Sequence, residues 1–260
     1  MKTTLLLAST LFLSAIPASA ATTVTSATDA TFTTTADSDW RYQFSLPGWL
    51  PSLNGHMIVK GEPLQLDLDV YDELLPNLSS TVMGSFEVGK GKWSFLTDLL
   101  YISLKPSGSL PRADFDMELQ QFMGNFAVFY NVLDTEDSRM DVYGGVRVNW
   151  LKVDVDARGK GPLGRTFSKS SDMTWVDPIV GVRYQYDINE KTFITAMADV
   201  GGFGVASDFA GNALISLGYR VNDKLSLGVG YKANYSDYTD GDVTYDITEH
   251  GLLLSLDYAF

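Results

Sequence analysis

The chain has 260 residues, 45% of them hydrophobic, with a formal net charge of −13, two histidines and no cysteine. That composition excludes a nucleic-acid binder of the usual basic kind, a disulfide framework and an ordinary zinc site. Mean hydropathy is +0.00, and past the N-terminus no apolar run approaches the ~20 residues of a spanning helix, although a membrane β-barrel escapes that test because every second residue is polar.

Met1 to Ala20 reads as a cleaved export signal. Lys2 supplies its charge, Leu5 to Ile16 its apolar core, and Ala18-Ser19-Ala20 its cleavage site. No cysteine follows, so a lipoprotein anchor is not expected. Ala21 to Asp39, rich in Thr, Ser and Ala, is expected to be a flexible periplasmic lead-in, and residues 40–260 the folded domain.

From Trp40 onward apolar residues alternate with polar ones. Trp40, Tyr42, Phe44 and Leu46 share one face and Arg41, Gln43 and Ser45 the other, until Pro47-Gly48 disturb the pattern. Trp49 to Leu78 reads as a first outer loop, with a short hairpin (His56 to Lys60 against Leu64 to Val70) and a turn of helix near Asp72 to Leu75. Ser80 to Lys90 and Lys92 to Leu104 form the clearest hairpin, turning at Gly89-Lys90-Gly91-Lys92. Lys105 to Arg112 is a loop. Asp114 to Val132 is a strand with an expected parity slip near Gln120-Gln121, and a polar turn at Asp134 to Ser138 leads into Met140 to Val155.

Ala157 to Met173 is expected to be a long loop. Thr174 to Ile188 and Thr192 to Val200 meet at Asn189-Glu190-Lys191, followed by a glycine-rich loop at Gly201 to Ser207. Asp208 to Val221 and Leu225 to Asp237 meet at Asn222-Asp223-Lys224, and an acidic loop, Tyr238 to Tyr245, precedes the last strand. In that strand Leu252, Leu254, Leu256, Tyr258 and Phe260 share a face. Leu253 is the apolar exception on the other.

These elements predict an all-β, antiparallel, up-and-down transmembrane β-barrel of about ten strands, with eight or twelve if the first loop or the slip is misread. Short turns at one end and longer loops at the other match the periplasmic and outer ends of such barrels. Trp93 with Tyr101, and Phe209 with Tyr219, are spaced to bracket a lipid-facing band, since ten residues at ~3.3 Å rise and ~40° tilt cover roughly 25 Å. A soluble barrel would show the same alternation, with its apolar parity turned inward.

Charges keep to the other parity. Arg41, Glu87, Asp98, Arg147, Arg183, Arg220, Lys232 and Asp257 are expected to form a network in the lumen. Arg41, Glu87, Arg220 and Asp257 fall near the periplasmic mouth, and Asp98, Arg147 and Arg183 about mid-height. Such a set either satisfies itself and fills the barrel or lines a narrow constriction. Ten strands lie near the size that side chains fill.

No catalytic residue is assigned. His250, beside Glu249, is the nearest to a candidate but sits on the lipid parity, and His56 has no evident partner. Asp240, Asp242, Asp246 and Glu249, or Asp67, Asp69 and Asp72, lack EF-hand spacing and are expected to be solvated, so no metal or cofactor is expected. Arg158, Lys160, Arg165 and Lys169 are expected to offer phosphate contacts to lipopolysaccharide.

The terminal Tyr258-Ala259-Phe260, with Leu254 and Leu256 on the same parity, resembles the last strand of Gram-negative outer-membrane β-barrels. In that class the resemblance implies a signal read by periplasmic chaperones and the barrel-assembly machinery. Trp49-Leu50-Pro51 through Gly84, then Gly91-Lys92-Trp93 and Asp98, is similar to a small porin-like family of uncharacterised outer-membrane proteins. That family carries no assigned chemistry and so contributes no functional residues; the expected state is a monomer in the cell outer membrane. The expectation is a structural or narrow porin-like barrel, not an enzyme. The rival expectations are an outer-membrane hydrolase acting at the rim and a loop-based receptor or adhesin.

Overall fold

The computed structural model describes residues 40–59, 62–105, 107–109, 113–160, 166–241 and 243–260. The export signal and lead-in lie outside the described residues. Among the described residues alternation builds twelve strands: β1 (Trp40–Val59), β2 (Glu62–Leu68), β3 (Leu78–Lys90), β4 (Trp93–Leu104), β5 (Ser107–Ser109), β6 (Ala113–Asp134), β7 (Ser138–Gly159), β8 (Thr166–Asp187), β9 (Thr192–Gly201), β10 (Ser207–Arg220), β11 (Leu225–Asp240) and β12 (Val243–Ala259). Ten of them form the wall in the order β1-β3-β4-β6-β7-β8-β9-β10-β11-β12, and β12 pairs back with β1, so the sheet closes as an antiparallel barrel. β2 and β5 are short additions, paired with β1 and β6.

The wall is held in register by short turns at one end. Asn189 Oδ1 accepts from the amides of Lys191 and Thr192, and Asn222 Oδ1 from those of Lys224 and Leu225, all at 2.9–3.0 Å. The two turns use the same side-chain mimic of a backbone turn. At the β3–β4 turn Gly91 adopts φ +56°, a conformation that glycine takes at little cost.

The outer face is an apolar belt. Tyr219, Val229 and Leu254 are 48%, 48% and 54% exposed. Aromatics edge the belt at the turn end, where Trp93 packs on Tyr130 and Tyr42 stacks on Phe260. A belt of this kind is what hydrocarbon requires of a membrane-spanning barrel.

Above the belt the polarity inverts. On β7 the outward residues become Lys152, Asp154 and Asp156, while inward Leu151 is buried. Inward Leu53, Leu104, Leu119, Leu151, Trp175, Tyr245 and Ile247 form an apolar core inside this end of the barrel. Three expectations are corrected by this inversion. The slip at Gln120-Gln121 is absent: Met117, Leu119, Gln121, Met123 and Asn125 all face inward, and β6 shifts register only between Asn131 and Leu133. The loop at Ala157 to Met173 is mostly strand, with β7 running to Gly159 and β8 starting at Thr166. Likewise β11 and β12 extend through the acidic stretch to Asp240 and Val243.

The first outer loop is also corrected. Trp49 to Val59 continues β1, paired with β12 throughout, and with β2 from Leu53 upward. The expected hairpin and helical turn are present. Asp69 Oδ1 accepts from the amides of Tyr71 and Asp72 and so caps a π-turn, Val70–Leu74, which runs into a 3₁₀ turn, Leu75–Asn77.

Candidate functional site: the barrel interior

The eight charged residues expected in the lumen all lie on inward parities, and seven of them are buried; Arg41 is half-buried. They sort into layers, each completed by partners that sequence parity alone does not pair.

Nearest the turns, Arg183 bridges two carboxylates. Its Nη1 donates to Glu87 Oε2 at 2.7 Å, its Nη2 to Glu87 Oε1 at 3.0 Å, and its Nε and Nη2 to Asp141 Oδ2 at 3.0 and 2.9 Å. The guanidinium also lies 4.3 Å from the ring centre of Phe129, which stacks on Tyr143. Ser94 donates to Glu87, Asn131 to Asp141, and Arg139 stands 3.3 Å from Asp141. Arg183 therefore belongs with Glu87 near the mouth and not at mid-height, because it is only four residues from Asp187, where β8 ends. Arg220 makes a second mouth pair, donating to both oxygens of Asp187 at 2.8 and 2.9 Å while covering Phe193. Asp257 accepts from Ser255 at 2.9 Å.

At mid-height Arg147 Nη2 bonds both oxygens of Asp199, and its Nε donates to Asn125 Oδ1 at 3.0 Å. Asn125 in turn donates to Asp98 Oδ2 at 3.1 Å, and Tyr143 donates to Asp199 at 3.0 Å. Lys232 lies 5.1 Å from the ring centre of Trp49. Interleaved apolar groups, among them Leu96, Leu100, Met123, Ile179 and Leu253, fill the space around these polar residues. Leu253, the exception in the last strand's alternation, is an inward core residue.

Toward the far end, Asp177 accepts from Trp175 Nε1 and from the amide and hydroxyl of Ser207, while Glu249 accepts from Tyr245 and Asn234. Every buried carboxylate named here thus accepts at least one hydrogen bond. Asp141, Asp187, Asp199 and Asp177 were not picked out from sequence. Their inward parity was readable, but their partners sit on strands whose stagger was not.

The outer rim carries a separate string of side chains. Asn54 Nδ2 donates to Asp67 at 2.8 Å, which leaves Asn54 Oδ1 to accept from His250 Nε2, also at 2.8 Å. His250 Nδ1 then accepts from Tyr231. His250 faces outward, as its parity predicts. His56 is elsewhere, 3.3 Å from Asp246. Beyond the rim, burial and then the facing Asp246 hold the Asp237 carboxyl above its usual range. Among the described residues no three histidine or acidic side chains converge as a metal site. Of the basic residues expected to meet phosphate, Lys160 pairs with Asp114 at 2.9 Å, and Arg165 lies outside the described residues.

Leu254, Leu256, Tyr258 and Phe260, the expected assembly signal, all project from the outer face of β12, and the Phe260 amide donates to Tyr42 O at the closing seam.

The outer-membrane protease OmpT of Escherichia coli shares this fold, with a TM-score of 0.54 over 89% of this chain and 99% of that one, at 11% identity. The translocator domain of the autotransporter NalP of Neisseria meningitidis aligns with a TM-score of 0.44 over 87% and 90%, at 13% identity. No curated protein matches the chain. Residues 121–260, from the middle of β6 to the end of β12, match the model of the family described as protein of unknown function, DUF481, and the chain belongs to that family.

Proposed function

We propose that this chain is a closed, non-conducting barrel of the Gram-negative outer membrane, serving envelope structure and neither solute passage nor catalysis. One observation carries the reading. At three successive heights the inward groups are sealed: Glu87, Asp141 and Arg183; then Asp98, Arg147 and Asp199; then Leu53, Leu119 and Ile247. None of these is more than 5% exposed. A water-filled passage would leave lumen side chains wet, whereas a ten-strand barrel is small enough for them to fill. The export signal expected at Met1 to Ala20 and the outward Phe260 and Tyr258 support delivery to the outer membrane through chaperones and the barrel-assembly machinery. The short turns then face the periplasm, and β6, β7 and β8 rise toward lipopolysaccharide.

Planar-bilayer recording of the purified full chain tests the proposal. The expected record shows no unitary steps at any voltage that the bilayer tolerates. Steady conductance that changes on Arg147→Ala would replace the plugged barrel with the narrow porin-like one.

A further inference from the structure

The barrel wall is not evenly sealed. β1 pairs with β3 only from Trp40 to Ser45, and on that edge it pairs again, with β2, only from Leu53. The cause is in the sequence. The Phe260 amide donates to Tyr42 O, so the even residues of β1 bond toward β12 and the odd ones toward β3. Pro47 and Pro51 are both odd, and neither has an N–H to offer β3. Continued in register, Pro47 would face Met83 and Trp49 would face Thr81, but the two strands part instead.

The parting leaves an apolar cavity of about 240 Å³, walled by Pro47, Trp49, Met83, Ile102 and Leu104 and roofed by Val70 and Leu75. The roof is tied down on both sides. The Val70 amide donates to Ser52 Oγ at 3.3 Å, and the Lys105 amide to Asn77 O at 2.9 Å. Thr81 lies on the inward parity of β3 yet is exposed, so the cavity opens through the wall. Gly48, at its lip, pairs with Leu254 of the apolar belt, and nothing lies within 4 Å of where its Cβ would be.

Depth identifies what meets the opening. Leu254 is six residues from Phe260, which at ~3.3 Å rise and ~40° tilt is about 15 Å above the inner aromatic edge of a belt about 25 Å tall. The mouth therefore begins past the midplane and faces the hydrocarbon of the leaflet on the loop side. In the orientation proposed above, on which this inference rests, that is the outer leaflet. A closed apolar cavity of ~150 Å³ already takes up benzene in preference to water. A larger one, continuous with a lipid-facing surface, suits a hydrocarbon tail.

We propose that the gap between β1 and β3 is a binding site for one acyl chain of an outer-leaflet lipid, which enters sideways from the bilayer.

The test reconstitutes the full chain in phosphatidylcholine vesicles doped with a phospholipid that carries a diazirine on its acyl chain, followed by photolysis and peptide mapping. Label is expected on Met83 and Ile102, both inward-facing, as well as on Val229 and Leu254 of the belt. Gly48→Leu, which adds a side chain at the lip starting from a Cβ with nothing within 4 Å, is expected to cut the label on Met83 and Ile102 severalfold and leave the belt label unchanged. Thr81→Phe, filling the opposite lip, provides the same comparison if the first variant does not fold. Label on Val229 and Leu254 with none on Met83 or Ile102 would overturn the site while leaving the barrel reading intact. Label on Met83 and Ile102 that neither substitution reduces would also overturn it. Absence of label from the belt itself would instead overturn the membrane reading on which the site rests. Label on Met83 and Ile102 that appears only when residues 21–39 are deleted would assign the gap to that segment, against the lipid.

Discussion

Arg147 on β7 and Asp199 on β9 meet through a two-point contact, Nη2 to both carboxylate oxygens at 2.8 and 3.1 Å, with β8 running between their strands. Both side chains are fully buried. Removing one partner strands the other charge in a low dielectric, which typically costs ~3–5 kcal/mol, whereas replacing both with apolar groups is often close to neutral. Arg147→Met is therefore expected to lower the urea unfolding free energy in micelles by about that amount, and Arg147→Met with Asp199→Leu to recover most of it. Equal losses in the single and double variants would mean that the pair does not act as a unit.

The outer belt makes a depth-dependent prediction. Changing Val229, level with Leu254, to Arg is expected to cost ~2–4 kcal/mol, and the same change at Leu225, level with Tyr258 and nearer the turn-end rim, distinctly less. Folding into vesicles at graded urea measures both. A penalty that failed to fall toward the rim would argue that these side chains do not contact hydrocarbon.

Gly218 supplies a packing test. A Cβ there would run into the ring of Phe193, which is fully buried beneath the guanidinium of Arg220. Overpacking of this kind costs ~1–3 kcal/mol. Gly218→Ala should destabilise the barrel by that much, and more than Gly48→Ala, whose Cβ meets open space. Equal effects of the two substitutions in thermal unfolding would refute the packing described for Phe193.

His250→Ala separates the structural barrel from a rim hydrolase. The loss of bonds to Asn54 and Tyr231 is expected to cost ~1 kcal/mol of stability or less, since all three lie at an accessible rim. The acyl pattern of envelope lipids, read by mass spectrometry from cells that overproduce the chain, is expected to be the same with either version. A lipid change that depends on His250 would contradict the non-enzymatic reading.

The belt was legible in the sequence because period two survives wherever one face meets hydrocarbon. Trp40 to Leu46 and Leu252 to Phe260 show it without help from neighbours. What misled was the inversion above the belt. Phe122 and Phe126 face out while Met117 and Leu119 face in, so the apolar parity of β6 changes within a regular strand and imitates a slip. Trp49 and Leu53 invert β1 in the same way and made a strand read as a loop. The inward charges were legible one by one, but their pairing was not. Glu87 meets Arg183 on a strand 96 positions later, a contact fixed by the stagger of the closed barrel and not by local pattern.

The most direct measurement exploits the absence of native cysteine. Single cysteines at each position from 252 to 258, spin-labelled in vesicles, report contact with oxygen dissolved in hydrocarbon. Positions 252, 254, 256 and 258 are expected to be accessible to oxygen and 253, 255 and 257 protected, with a strict period of two. Accessibility to a water-soluble nickel chelate at the even positions, or the opposite alternation, would contradict a barrel whose apolar face is turned toward lipid.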